Sequence, residues 1–387
     1  AAGAVVAGGA GAVRLPRGLD GDVPCAVVST LKHVPEAELH TWLSHHLDGC
    51  GFSFAFLFFD DPSELACRTD IVRHWGRRLV PIPVDATLQV EYDACQRLLA
   101  LKGKLCEDWL ARQELHVEIA MRWARGKGCQ WLLHIDLDEL FVLQEGSSAP
   151  RHFASVDPAR DAVAYLNHEG VPELHDEVIV SELSHNRFAA TTLFRRNAQC
   201  LAEGFGLDEV VLGDGGVDLT LSVPGSPWQR RLDALASSPT ASSSSLAVQA
   251  FAFWPRRTKA VLGSAQYFLA YSNGKGAVRL SSDALPNTVH RFGETELGRY
   301  WCPKEAVVLH YANGCYDAVA EKLRRLRASS GDWWRSFVLY TRGRDSDEQG
   351  LRAIYTGALA LEDPDEAARQ VDTGVCLRYA VADGHLP

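Results

Sequence analysis

An α/β fold with a mostly parallel central sheet flanked by helices is predicted by three observations. Apolar runs of strand length alternate with longer stretches of helical periodicity through the first third of the chain. Glycine, proline and acidic residues punctuate them. The run Trp131 to Ile135 stops abruptly at Asp136-Leu137-Asp138-Glu139, as a buried strand does when it reaches the edge of a sheet.

Taken in order, residues 1–22 read as a flexible leader, whose Ala/Gly/Val-rich stretch 1–13 is too short and weakly apolar to span a bilayer. Pro24 to Thr30 is a first buried strand. Pro35-Glu36 opens a helix through Leu47, with Leu39, Trp42, Leu43 and Leu47 at helical spacing, and Gly49 and Gly51 end it. Phe52 to Phe59 is a second strand that stops at Asp60-Asp61. Strand, helix and strand in this spacing make a βαβ unit. A helix is expected over 63–76, a strand over Leu79 to Val84, and a long helix over 104–127, closed by Gly126 and Gly128.

Beyond residue 144 the pattern weakens. Short strands are expected at Ala162 to Leu166, Val178 to Val180, Thr191 to Phe194 and Val307 to Tyr311, with a hairpin over Tyr267 to Leu280. Residues 237–245 form a Ser-rich insertion. Residues 315–327 read as a helix with a basic end that includes Lys322. The organisation expected is a leader (1–22), one catalytic domain (23–345) and a helical extension (346–387).

The chain has 387 residues, 47% of them hydrophobic and 23% charged, and a formal net charge of −10. That is enough for one large core, and the acidic balance argues against a nucleic-acid partner. The ten cysteines show no CxxC and no zinc-ligand spacing, which leaves buried thiols and a few disulfides both open. No uninterrupted apolar stretch reaches the roughly 18 residues of a membrane span.

Candidate chemistry centres on Asp136 and Asp138. Carboxylates two residues apart on extended chain point the same way and can share a hard cation, Mn²⁺ or Mg²⁺. Asp138 is the more direct ligand in this reading, with Asp136 nearer a ribose or a metal-bound water. His310 and His290, each next to a strand, are candidate further ligands. Asp60 and Asp61, at the end of the second strand, could hold a base or ribose, against the alternative of a solvated turn. Lys275 and Arg279 could contact phosphates, and Arg112 and Gln113 could face a donor from the long helix. Asn167 to Glu173 reads as a polar loop in which Glu169 and Glu173 are candidate general bases.

The chain resembles the GT-A glycosyltransferases, most closely glycosyltransferase family 92 and the related family 2-like group. The resemblance is carried by Val27 to Thr30 followed by Trp42-Leu43-Ser44-His45-His46, by the helix 112–127 leading into Trp131 to Phe141, by Asn273 to Arg279 with Val289-His290, and by Leu309-His310-Tyr311. Leu140 before Phe141 departs slightly from the family signature, and Leu31-Lys32-His33 stand where an Asn-Glu pair is common. The resemblance implies a Rossmann-like nucleotide-diphosphate-sugar fold with Asp136 and Asp138 as its metal pair. It further implies an inverting transfer of a sugar from a UDP- or GDP-linked donor to a glycan, protein or small-molecule hydroxyl. It also implies a Golgi or other secretory-pathway membrane setting, with an anchor upstream of this chain. The alternatives are a haloacid-dehalogenase-type phosphatase using the same Asp-x-Asp, and a non-catalytic sugar-binding module.

Overall fold

The most apolar runs of the sequence become the middle of a six-stranded sheet. The computed structural model describes residues 23–379 except 107, 175–185, 198–199, 201–215, 219–232, 235–236, 238–245, 266–273, 294–298, 304 and 329–337. The first sheet contains β1 (Cys25–Leu31), β2 (Phe54–Phe59), β3 (Leu79–Pro83), β4 (Trp131–His134), β6 (Ala162–Tyr165) and β10 (Lys275–Arg279), in the order β3-β2-β1-β4-β10-β6. The first four in that order are mutually parallel, and β10 is antiparallel to both of its neighbours.

Both faces of this sheet are covered, which is why its strands are apolar throughout rather than alternating. In β2, Ala55, Leu57 and Phe59 face one core with Leu39, Trp42 and Ile71. Phe54, Phe56 and Phe58 face the other, with Leu115, Ile119 and Met121 of the long helix Trp109–Gly126. That helix starts later than expected because the Asp108 carboxylate caps it on the Leu110 amide. The helix expected over 63–76 is two, Pro62–Ala66 and Thr69–Trp75. Between them Arg68 reaches back to the Val34 carbonyl and the Glu36 carboxylate.

A second sheet contains β5 (Glu139–Leu143), β7 (Asn167–Val171), β8 (Leu193–Arg195), β14 (Ala306–His310) and β15 (Cys376–Arg378), in the order β15-β8-β7-β14-β5. The segment expected to be a polar loop from Asn167 is therefore a strand. Its polar side chains are buried because they pair within the sheet. Two small ribbons, β9 (Gly216–Asp218) with β13 (Arg299–Trp301) and β11 (Pro286–Thr288) with β12 (Arg291–Phe292), complete the strands described. Residues 346–379 carry the helices Glu348–Ile354 and Pro364–Asp372 and end in β15, on the edge of this sheet. The expected leader, the strand at Val178 to Val180, all but the first residue of the Ser-rich run and residues 267–273 of the expected hairpin lie outside the described residues.

The helix Glu36–Leu43 widens into a π-helical turn, Ser44–Gly49. Two consecutive histidines in that turn satisfy both backbone groups of one residue of β5. The His45 ring lies 2.7 Å from the Phe141 carbonyl, and the Phe141 amide donates to His46 Nε2 at 3.2 Å. Trp42 Nε1 donates to the Asp136 carbonyl at 3.1 Å. One side of the first sheet thus grips the chain both before and after the acidic turn.

Burial holds several histidines neutral. It pushes His116 and His290 down to about 3, and His134 and His168 down to about 4, with Lys275 also depressing His134 and His290. His46 is lowered by burial and by His45. Their folded values lie below the 6.5 of the unfolded chain, so across that window the unfolded chain binds more protons and stability rises with pH. Each such histidine contributes a slope of about 1.4 kcal/mol per pH unit between roughly pH 4 and 6.5. The prediction is a urea midpoint that falls from pH 7 to pH 5, with Glu139 and His310, whose folded values are raised, offsetting part of the slope. A midpoint unchanged across that range would show that these imidazoles protonate without unfolding.

Candidate functional site at the acidic turn

Three residues on one face of the helix Trp109–Gly126 reach the carboxyl ends of three adjacent parallel strands. Positions i, i+1 and i+4 of its second turn do this together. Arg112 grips the Asp60 carboxylate just past β2 through two nitrogens, at 2.8 and 2.9 Å. Gln113 Nε2 donates to Asp136 Oδ1 past β4 at 3.2 Å. The His116 ring meets Thr30 Oγ1 of β1 at 2.8 Å, and its other nitrogen meets the Tyr92 hydroxyl at 2.8 Å. In open α/β sheets this edge is where ligands bind.

The acidic turn is the short link from β4 in the first sheet to β5 in the second. Its first carboxylate is committed. Asp136 Oδ2 lies 2.5 Å from Lys275 Nζ, and the Glu139 carboxylate lies 3.5 Å from the same amine. Glu139 also accepts the Asp136 amide at 2.9 Å. Lys275 is fully buried. Burial opposes its charge, and Asp136 and Glu139 more than restore it. Burial likewise opposes ionisation of Asp136, but Lys275 and His134 hold its carboxyl below the usual range. Burial pushes Glu139 up to about 7.

The second carboxylate faces a different set of groups. Asp138 Oδ2 lies 3.7 Å from His310 Nε2 and 3.9 Å from Arg187 Nη1. Burial opposes its ionisation, and His310, Lys322 and Arg187 together hold it far below the usual carboxylate range. Behind His310, Nδ1 sits 3.0 and 2.9 Å from the two oxygens of Glu169. Sheet register produces this: His310 of β14 stands opposite Glu139 of β5 on one side and Glu169 of β7 on the other. Arg187 is held in turn by Glu38, with Nε 2.9 Å from Oε2.

The expected site residues divide accordingly. Asp136, Asp138, His310, Glu169, Gln113 and Lys275 are brought together around the turn. Asp60 and Arg112 pair beside it, with Lys32 Nζ 3.6 Å from Asp60. Arg279 is not there. Because β10 runs antiparallel to β4, its first residue lies at the acidic end of β4, and Arg279 lies opposite Trp131 at the other end. It sits 4.6 Å over the Trp131 ring and donates to the Val156, Asp157 and Arg160 carbonyls. Glu173 is also elsewhere, in a two-pronged ion pair with Arg378 at 2.7 and 2.8 Å. Asp61 caps the helix Pro62–Ala66 on the Ser63 amide. His290 Nδ1 lies 2.9 Å from the Gly274 carbonyl, beside Lys275.

A divalent cation fits part of the expected ligand set. Asp138 Oδ2 and His310 Nε2 are near enough for one ion to bridge, with ligand bonds of about 2.1 Å. A histidine whose other nitrogen is tied to a carboxylate is the usual metal-ligand arrangement. Asp136 does not fit as a direct ligand, since the Lys275 amine already occupies Oδ2, and His290 sits beside that same amine. Among the described residues, the one group of three His, Asp or Glu with ligand atoms within 4.8 Å of one another is His33, Asp61 and Glu64. Its Glu64 is already bound to the His33 amide at 2.6 Å, and its Asp61 is the helix cap.

Arg187 and Glu38 are the contributors that sequence reasoning missed. Glu38 precedes Trp42 in the stretch that carries the family resemblance. Nothing local marks Arg187.

No protein-family model matches the chain. It is similar to two Arabidopsis thaliana proteins. Glycosyltransferase-like At2g41451 is 25% identical over 59% of this chain, and Glycosyltransferase-like At3g57200 is 24% identical over 52%. The matches span only 40% and 29% of those relatives' own lengths. Among solved structures, core-mannan synthase A (CmsA/Ktr4) from Aspergillus fumigatus, in its Mn/GDP form, aligns over 69% of this chain and 62% of its own. The identity is 12% and the TM-score 0.26. The mannosyltransferase Ktr4p from S. cerevisiae aligns over 49% and 45% at 9% identity and a TM-score of 0.21. Superpositions this loose transfer nothing to individual residues.

Lys275 is placed by the residue before it. Gly274 has φ +51, and a Cβ there would lie 1.9 Å from the Tyr165 carbonyl oxygen. Gly146 shares a positive φ, +76, but would meet nothing within 4 Å. Gly146→Ala should therefore cost only the left-handed backbone term of about 1–2 kcal/mol. Gly274→Ala should cost well over about 3 kcal/mol, because backbone must move as well. Equal losses in urea unfolding would show that Tyr165 does not confine Gly274.

Proposed function

We propose that this chain is a GT-A-type glycosyltransferase. It moves a sugar from a UDP- or GDP-linked donor to a hydroxyl of a glycan, protein or small molecule, with Mn²⁺ or Mg²⁺ as cofactor. The single observation that carries this is the Glu169–His310–Asp138 line at the carboxyl edge of a parallel sheet, flanked by Arg187 and Lys322. The similarity to proteins named glycosyltransferase-like supports the same class.

In this reading Asp138 and His310 hold the cation, and Glu169 orients the imidazole. The metal, when bound, neutralises charge on the departing nucleoside diphosphate. Arg187 and Lys322 add fixed positive charge beside it. Asp136 is a positioning residue. It anchors Lys275 and, through Gln113, ties β4 to the long helix. Gln113 Oε1 and His134 Nε2 are buried with no hydrogen-bond partner among the described residues, and both side chains flank Asp136. A donor ribose is the kind of group that would satisfy them.

Inversion, a catalytic unit over 23–345 with an extension over 346–387, and a Golgi or other secretory setting belong to the same proposal and rest on the family resemblance. An inverting transfer needs a base for the acceptor hydroxyl. Glu169, tied to His310, and Glu173, tied to Arg378, are both otherwise engaged. Among the described residues no helix is long and apolar enough to cross a membrane.

Two variants test the reading. Asp138→Ala should abolish donor hydrolysis and transfer, and should abolish Mn²⁺ binding seen by electron paramagnetic resonance. Glu169→Gln should weaken Mn²⁺ by about 10–100-fold while keeping the fold. Full Mn²⁺ affinity and turnover in Asp138→Ala would sink the metal assignment. A phosphoenzyme trapped on Asp136 by BeF₃⁻ would move the protein to the phosphatase class.

A further inference from the structure

One level of the second sheet carries polar side chains from edge to edge. Glu139 of β5 stands opposite His310 of β14, and His310 stands opposite Glu169 of β7. Glu169 in turn stands opposite Arg195 of β8, and Arg195 opposite Cys376 of β15. Residues directly opposite one another across paired strands project to the same face, with Cβ atoms about 5 Å apart. The row therefore runs carboxylate, imidazole, carboxylate, guanidinium and thiol. It is dry at its centre, where Glu169 is 6% exposed and Arg195 is 2% exposed.

The half of this row nearest the acidic turn has its role in the metal reading, and Arg195 has none there. An arginine this deeply buried requires an anion, and its register supplies Glu169. Glu169 accepts from the Asn167 amide on its own strand and faces His310 on β14 with both oxygens. The remaining neighbour strand, β8, contributes Arg195. Behind Arg195 the C-terminal residues close the row. Its guanidinium carbon lies 5.3 Å from the centre of the Trp254 ring. Trp254, on the helix Leu246–Leu262, donates through Nε1 to Gln370 Oε1 at 3.0 Å. Gln370 is a fully buried residue of the helix Pro364–Asp372. An aromatic face fixes the plane of a guanidinium and so the direction of its donors.

We propose that Arg195 is a positioning residue of the metal site, holding the Glu169 carboxylate against His310 while Trp254 and the helix Pro364–Asp372 hold Arg195. This rests on the metal-dependent transferase reading above, and it makes the extension over 346–387 a support of the site. Positioning and simple charge predict opposite signs. Removing a cation near a Mn²⁺ site strengthens metal binding by Coulomb attraction, whereas loosening the carboxylate behind a histidine ligand weakens it.

A double-mutant cycle on Mn²⁺ affinity, read by electron paramagnetic resonance on the full chain, tests the proposal. Arg195→Met should weaken Mn²⁺ by about tenfold, and Arg195→Lys, which restores the charge at the same register position, should recover most of the loss. In the Glu169→Gln protein there is no carboxylate left for Arg195 to hold. There, Arg195→Met should change Mn²⁺ affinity by less than about twofold. Should Arg195→Met not fold, Arg195→Gln, which is neutral and polar, carries the same cycle with the same expectations. Unchanged or tighter Mn²⁺ binding in the single variant overturns the inference. So does an undiminished loss in the Glu169→Gln background, which would mean that Arg195 acts through the fold at large. Either result leaves the metal reading standing. If the wild-type chain binds no Mn²⁺, that reading fails and this inference falls with it.

Discussion

A lysine amine with no access to water cannot remain charged unless carboxylates meet it. Lys275 meets two, and that requirement organises the molecule's centre. It fixes β10 against β4 at the point where β4 ends. It keeps Asp136 ionised and held against the amine. It also draws Glu139, the first residue of the second sheet, onto the same charge. Both sheets therefore converge on one ammonium group, and the acidic turn between them has little freedom left. Breaking one partner of such a cluster strands the others in a dry interior, which is why the cluster must be treated as a unit.

The parallel half of the fold was legible from sequence because its strands are buried on both faces. Double burial makes Phe-Ala-Phe-Leu-Phe-Phe an unambiguous signal. The acidic turn was legible for a related reason, as charge appears only where that strand leaves the core. What escaped reading was direction and pairing. Nothing in Lys-Gly-Ala-Val-Arg says which way a five-residue strand runs, yet its direction decides that Lys275 and not Arg279 stands at the acids. Likewise, Asn167 to Glu169 looks like solvated loop until β14 brings His310 alongside. Polar strands are specified by partners that lie far away in sequence. Arg187, held by Glu38, belongs to the same class.

The two carboxylates of the Asp-x-Asp were expected to share one cation, Asp138 directly and Asp136 from nearer a ribose or a metal-bound water. The structure separates them by environment. Asp136 sits against a buried amine and an amide, while Asp138 sits against an imidazole, a guanidinium and a more distant amine. One is held for architecture and one for ligands. Adjacent acids commonly divide labour in this way when their surroundings differ.

The acidic link also constrains what insertions the chain can accept. It joins strands of different sheets, and strand side chains alternate faces with every residue. One residue added between His134 and Glu139 would leave β4 where it is and slide β5 by a single position. Every side chain of β5 would then swap faces, Phe141 would leave its two histidines, and Glu139 would no longer stand opposite His310. Length here should thus be less free to vary than identity, so that Leu137 could be exchanged for another apolar residue more readily than the turn could gain or lose one.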